Sequence, residues 1–518
     1  MAVSAGIVYL TGAGPGAVDM ITVRAAEVLA IAEVVVYDHL INQELLNLAP
    51  GTAEMIYAGK SGGGDRALDQ SDINQLLVDR ARAGKRVVRL KGGDPFIFGR
   101  GGEEAAALVD AGVEFEVIPG VTSAVAVPAF AGIPLTHRDY GSFVAFVTGH
   151  EEESRSGAGA VPWDDLARAA RDRGTLVLLM ATAHLREIAA RLITGGMAPE
   201  TPAAAIAHGT GAGQCTISAT LKTLADEVET AELTPPSIVV VGPIVALRER
   251  LRWLERRPLF GRRIVITRAS ATAGPFARVL RELGAEVIEL PAIETAPPDS
   301  YDALDRAVAQ IGSYDWVIFT SVTGVDGLME RLDATGHDVR ELGGASIAAI
   351  GPATAARLRH YGLRAAVMPE EYRAEAIAAA IGRQRIAGAR ILIPRAQIAR
   401  EALIDLLREA GAAAVDVVAA YRTVRPSPPA LAAVKRMLGR GEIDLVAFTS
   451  SSTVNNFSTM IGSDEVAGWA AAVIGPITAE TARARGFRVV AQPAAYTVEG
   501  LCGAIRDYFA GMKSKSAT

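Results

Sequence analysis

Short runs of β-branched and apolar residues recur along the whole chain, each followed by a Gly/Pro-rich turn and then an Ala/Leu/Arg-rich stretch of helical character. Gly6–Leu10, Val34–Tyr37, Val87–Leu90, Leu176–Met180, Ile238–Val241, Ile264–Thr267, Val317–Phe319 and Leu445–Phe448 are examples. Strands separated by helices are joined by crossovers rather than hairpins, and crossovers build largely parallel sheets covered by helices. The fold class that follows is α/β. At roughly 100–200 residues per domain, 518 residues hold several such layers.

The clearest break lies after Val241. The stretch Val245–Arg257 is apolar on one face and dense in charge elsewhere, which predicts a helix, and from Pro258 a new strand begins. Beyond this boundary the chain repeats itself. Arg263–Ala269 matches Arg390–Ala396, Phe319-Thr320-Ser321 matches Phe448-Thr449-Ser450, and Ile350–Thr354 matches Ile474–Thr478. The Pro-flanked segments Pro291–Pro298 and Ala419–Pro426 hold equivalent places in the two repeats and are expected to pair as crossover strands between two lobes.

Composition narrows the function classes. A net charge of −6 gives no basic field for nucleic acid or an anionic membrane, so an anionic ligand must be held by local Arg, Lys and backbone donors. The two cysteines, Cys215 and Cys502, have no CxxC or Cys/His spacing, which argues against a disulfide framework and a Cys-rich metal site. His137 has no second ligand at metal-binding spacing, and no metal is expected. A start without a positive n-region and the lack of a long apolar run point to a cytoplasmic chain.

Gly12-Ala-Gly14-Pro-Gly16-Ala17 after a strand, with Asp38 about 20 residues on, imitates a dinucleotide fingerprint. Pro15 removes a backbone donor where a pyrophosphate needs one, and Asp19, expected to cap the next helix, would repel phosphate. The loop after Leu90 says more. Gly92 and Gly93 let backbone approach a ligand, and Asp94 can accept hydrogen bonds from ribose hydroxyls or an amine.

The motifs VYLTGAGPG, VVVYDHLI, VVRLKGGDPFIFGRGGEE, VIPGVTSA, GIPLTHRDYGSFVAFVTGH and PPSIVVVG make residues 6–243 resemble a uroporphyrinogen-III C-methyltransferase of the tetrapyrrole methylase family. Residues 260–509 resemble uroporphyrinogen-III synthase through the bilobed repeat, the FTS and IGPxT loops and the VVAAYRT crossover. The resemblance implies a two-lobed methylase module over 1–244, with lobes of about 1–135 and 136–244, and a linker helix over 245–259. It implies a synthase module of two similar parallel-sheet α/β domains over 260–510, one of 260–292 plus 425–510 and one of 298–420, before a flexible tail over 511–518.

It also implies S-adenosyl-L-methionine as methyl donor, S-adenosyl-L-homocysteine as its product, and a homodimer formed through the methylase module. Carried over by motif position, Pro15, Gly92, Gly93, Asp94, Ile97, Thr122, Ser123, Met180 and Gly209 line the cofactor site, with Asp38 and Lys60 as acid/base candidates. For the eight carboxylates of uroporphyrinogen, Arg24, Arg89, Lys91, Arg100, His137 and Arg138 are the nearest clamp candidates. Each has an ordinary alternative as a loop cap, core residue or surface charge.

In the second half Thr320, Ser321, Thr354, Thr449, Ser450, Ser451 and Thr478 stand at repeated strand ends and are expected to face one cleft, although such residues also serve as helix N-caps. Tyr421 matches the family tyrosine thought to assist loss of hydroxyl from hydroxymethylbilane. The function implied is cyclisation of hydroxymethylbilane to uroporphyrinogen III with ring D inverted, then double methylation to precorrin-2 on the way to sirohaem or corrinoids. The alternatives are a methylase acting on a later corrinoid, and a methylase carrying a non-catalytic tetrapyrrole-binding or regulatory module.

Overall fold

The computed structural model describes residues 6–59, 68–149, 161–268, 270–370, 374–397, 402–424, 431–462 and 465–515. They form two compact units, one chiefly of residues up to Arg263 and the other chiefly of Ile264–Met512. Each carries two five-stranded sheets.

In the first unit β1 (Ile7–Gly12), β2 (Val34–Tyr37), β3 (Glu54–Tyr57), β4 (Arg86–Lys91) and β5 (Glu114–Ile118) form a sheet of order β3-β2-β4-β1-β5. All its pairings are parallel. The alternation of side chains along β4 divides the core. Val88 and Leu90 pack with Tyr9, Val35 and Leu45 on one face, and Val87 packs with Val8, Leu10 and Leu77 on the other.

The second sheet departs from the parallel expectation. It is built from β6 (Phe143–Thr148), β7 (Gly174–Leu179), β8 (Pro202–Ala207), β9 (Cys215–Thr220) and β10 (Ser237–Val241) in the order β6-β7-β10-β8-β9. Only β6 and β7 are parallel; β10 runs antiparallel to both neighbours, and β8 to β9. The short link 208–214 has no room for a crossover helix, so β8 and β9 form a hairpin.

The second unit follows in chain order with β11 (Arg263–Ile266), β12 (Glu286–Glu289), β13 (Glu294–Ala296), β14 (Trp316–Phe319), β15 (Ser346–Ala349), β16 (Arg390–Ala396), β17 (Ala414–Val424), β18 (Leu445–Phe448), β19 (Ala470–Val473) and β20 (Arg488–Ala491). They sort into β12-β11-β18-β19-β20 and β13-β17-β16-β14-β15. The two Pro-flanked segments meet as β13 and β17, with Glu294 opposite Val424 in an antiparallel pair.

Three local expectations are corrected. Asp19 lies in the 3-10 turn Val18–Met20, and the cap of helix Val23–Ala30 is Thr22, whose hydroxyl accepts from Ala25 N at 3.3 Å. The helix expected over 245–259 is one 3-10 turn, Pro243–Leu247, and one short helix, Arg248–Leu251. There the buried Arg248 grips Glu255 through two contacts of 2.9 Å and donates to Ala131 O, which folds the segment back rather than extending it. Of the tail expected to be flexible over 511–518, residues 511–515 continue the helix Val498–Lys515, and 516–518 lie outside the described residues.

Among the described residues no helix is long and apolar enough to cross a membrane, and no cluster of His, Cys, Asp and Glu is placed to hold a metal ion.

Strand ends in the first sheet are packed backbone to backbone. A Cβ added at Gly120 would lie 2.8 Å from Gly12 Cα and closer still to the Gly93 carbonyl oxygen. Gly93 N donates to Gly14 O at 2.7 Å, so the loops after β1, β4 and β5 form one bundle. Gly120→Ala is expected to destabilise the chain by about 1–3 kcal/mol, read as a lower urea midpoint at an unchanged m value.

Candidate active site

The loops at the carboxyl end of the first sheet, with those of the second, enclose a cavity of about 650 Å³. That is a normal size for a small-molecule site. Of the positions named from sequence, Pro15, Asp38, Arg89, Lys91, Gly92, Ile97, Arg100, Ser123, Met180 and Gly209 line it. They come from loops far apart in the chain.

Gly93, Asp94 and Thr122 are not at the wall. They build the loops behind it. Asp94 accepts from Phe96 N at 2.8 Å through Oδ1 and from Gly120 N at 3.0 Å through Oδ2, tying the loop after β4 to the loop after β5. Both carboxylate oxygens are therefore engaged by backbone, one hydrogen bond to each. Thr122 caps helix Ser123–Phe130 by accepting from Ala124 N at 3.4 Å. Lys60 lies outside the described residues.

Asp38 follows β2 at the cavity wall. Its Oδ1 accepts from Leu40 N at 3.0 Å, and its Oδ2 lies 3.7 Å from Arg89 Nη2. Arg89 and Lys91 sit two residues apart on β4, on the face of Val87, and are only 4% and 5% exposed. Burial, and next the Arg89 cation, hold the Lys91 ammonium below the usual lysine range, against the pull of Glu104 and Asp38.

The clamp candidates separate. Arg100 reaches the cavity while paired in fork geometry with Glu103, at 2.9 and 2.8 Å. Arg24, His137 and Arg138 do not line the cavity. Arg24 is exposed and bound to Glu116 at 2.8 and 3.0 Å. His137 turns its Nδ1 to Asp139 N at 3.1 Å within a tight loop, and Arg138 is exposed.

Sequence reading missed several wall residues: Gln70, Phe98, Thr182, His184 and His208. Backbone conformation is the signal that marks some of them. Phe98, Arg100, Met180 and His208 all line the cavity with positive φ, between 48° and 59°. Thr210, at φ 75°, ties the second lobe to the first by accepting from Ala17 N at 3.2 Å. Such strain in non-glycine residues persists where the surroundings over-determine it, and it clusters at ligand sites.

The hydroxyl set of the second unit divides by role. Ser321 and Ser450 are N-caps, accepting from Gly324 N at 3.0 Å and from Thr453 N at 3.3 Å. Ser451 donates to Ile477 O at 3.3 Å. Thr320 and Thr449 are half-buried at the ends of β14 and β18. Thr354 and Thr478, expected in a cleft, are instead buried in the first turns of helices Pro352–His360 and Pro476–Ala484. With Pro opening each helix, the Thr falls two positions later and packs inward. Tyr421 on β17 is half-buried, its hydroxyl 3.2 Å from Ser321 Oγ.

Comparison with known proteins gives two family matches. Residues 7–225 match the Tetrapyrrole (Corrin/Porphyrin) Methylases, and residues 274–503 match Uroporphyrinogen-III synthase HemD. The chain is 37% identical over 485 residues to the porphyrin biosynthesis protein HemD of Ruminiclostridium josui, which covers 94% of this chain and 95% of that protein. It is 38% identical over 337 residues to the uroporphyrinogen-III C-methyltransferase of Bacillus subtilis, covering 65% of this chain and 68% of the relative. Against the siroheme synthase of Pseudomonas fluorescens it is 49% identical over 253 residues, 49% of this chain, and spans 53% of that relative's length.

Because Asp94 carries the junction between two loops, Asp94→Asn is expected to lower stability by about 1 kcal/mol, the cost of leaving one partly buried N–H facing an amide. Thermal unfolding measures it; an unchanged Tm would show the junction to be dispensable.

Proposed function

The chain belongs to the proteins in which a tetrapyrrole methylase is fused to a uroporphyrinogen-III synthase, and from that premise we propose a bifunctional enzyme of two consecutive reactions. The second unit closes hydroxymethylbilane to uroporphyrinogen III with inversion of ring D. The first unit methylates that product twice, with S-adenosyl-L-methionine, to precorrin-2.

The observation that carries the proposal is the convergence of Pro15, Gly92, Ile97, Ser123, Met180 and Gly209 on one cavity. Its wall fits the methyl donor chemically. Pro15, Leu40, Ile97, Val127, Leu179, Ile206 and Ile238 offer an apolar surface for a base, and backbone at Gly92 and Gly209 offers polar groups without side chains in the way. When bound, S-adenosyl-L-methionine supplies an electrophilic sulfonium methyl.

The chain's own task is positioning, since in-line displacement rewards alignment of the two reacting atoms above all. Met180, held at φ 54° and half exposed, shapes the wall between the two lobes' contributions. Asp38 accepts the proton released as the methylated ring regains its conjugation, and Lys60 donates one or pairs with a substrate carboxylate. Arg100 and Lys91 provide the positive wall for substrate carboxylates.

In the second unit the fold must hold the open-chain substrate in a spiro-like geometry, because the chain otherwise closes unaided to the uninverted isomer. Tyr421 assists departure of the hydroxyl group, with Ser321 Oγ orienting the phenol. Hydroxyls at Thr320, Thr449 and Ser450 meet the substrate at the strand ends.

Anaerobic incubation with hydroxymethylbilane tests both halves, with products resolved by chromatography and mass. Isomer III is expected without the methyl donor, and a doubly methylated product with it. Isomer I alone would make the second unit a non-catalytic binding module. Tyr421→Phe is expected to cut the rate of isomer III formation at least tenfold while leaving methylation of supplied isomer III unchanged.

A further inference from the structure

Glu104, in the first turn of helix Gly101–Asp110, is fully buried. Its Oε1 accepts from Lys91 Nζ at 2.9 Å, Arg89 Nε at 3.1 Å and Gln70 Nε2 at 3.3 Å. Its Oε2 has no hydrogen-bond partner among the described residues. Two cations on one strand face repel each other, and a buried ion is tolerated only when paired. One carboxylate serves both.

The arrangement gives the two cations different work. Arg89 directs Nε at Glu104, Nη1 at the carbonyls of Val36 and Leu90, both at 3.4 Å, and Nη2 at Asp38 Oδ2, 3.7 Å away. Nε and Nη1 are hydrogen-bonded and Nη2 is ion-paired, so this guanidinium is held chiefly by protein oxygens although it touches the cavity. Lys91 spends one of its three donors on Glu104 and also lines the cavity.

We propose that Glu104 is a positioning residue of the methyl-transfer site: it fixes Arg89, which orients Asp38, and it leaves the Lys91 ammonium as the cation that meets a substrate carboxylate. This rests on the methylase reading of the first unit. The charged groups facing Lys91 are Arg89 on its own strand, Glu104 and Glu103 on helix Gly101–Asp110, and Asp38 after β2; Gln70, from helix Gln70–Arg82, is neutral. Burial and Arg89 favour the uncharged amine, whereas Glu104 and Asp38 favour the ammonium. Removing the Glu104 charge therefore makes Lys91 lose its proton at lower pH.

The chain has seven lysines, few enough to follow individually by NMR in the full-length protein with ¹³C at the lysine ε-carbon. Lys91→Arg assigns the signal. In the native chain the Lys91 signal is expected to titrate below the exposed lysines, and in Glu104→Gln to move down by at least one further pH unit, with Glu104→Asp in between. The alkaline limb of methyl transfer to uroporphyrinogen III is expected to move with it. There kcat falls at least tenfold in Glu104→Gln, with KM for S-adenosyl-L-methionine changed less than threefold.

A Lys91 signal that titrates with the exposed lysines in the native chain overturns the proposal, even if Glu104→Gln does not fold. So does a folded Glu104→Gln whose Lys91 titration and pH profile match the native ones. Absence of methyl transfer by the native chain would instead remove the activity, while the lysine titration still decides the buried network.

Discussion

Parallel pairing delivers every strand-to-helix loop to the same edge of a sheet, and the candidate site depends on that one constraint. In the first sheet β1, β4 and β5 end side by side, so the loops beginning at Ala13, Gly92 and Pro119 emerge together. They pack closely enough that a Cβ at Gly12 or at Gly120 would run into the backbone of the other and into the Gly93 carbonyl oxygen. Glycine is required there by backbone contact as well as by turn geometry, as at Gly93 with φ 68°. Asp94 then locks the bundle through two backbone N–H groups, leaving the cavity wall to its neighbours.

Charge is organised by the same geometry. The two-residue period of β4 puts Arg89 and Lys91 on one face, and the helix after the glycine loop brings Glu104 over them. The chain is net acidic, yet it concentrates cations where an anionic substrate would sit. Exposed pairs such as Arg24 with Glu116 add little at high dielectric. The buried network is different, because removal of one member leaves an uncompensated ion.

Much of the fold is legible in the sequence because it is local. Strand, glycine turn and helix recur within short windows, and the repeat of Arg263–Ala269 in Arg390–Ala396 announces two related lobes. What depends on distant contact is not legible. Arg24 looks like a clamp until Glu116, from another strand, takes its guanidinium. That Asp94 also ties its loop to Gly120 is visible only in the structure. The mixed second sheet follows from a link too short for a crossover, and the inward turn of Thr354 and Thr478 from helix phase after Pro352 and Pro476. Glu104 falls within a recognised motif, but nothing in that motif distinguishes it from Glu103, which is exposed and paired with Arg100.

The central claim is that residues from both sheets of the first unit form one site for the methyl donor. Hydrogen–deuterium exchange of the full chain, with and without S-adenosyl-L-homocysteine, tests it most directly. The account predicts joint protection of peptides covering 12–17, 91–101, 122–127, 180–184 and 206–210, with the second unit unchanged. Protection confined to one sheet, or absent from all five segments at saturating ligand, would contradict it.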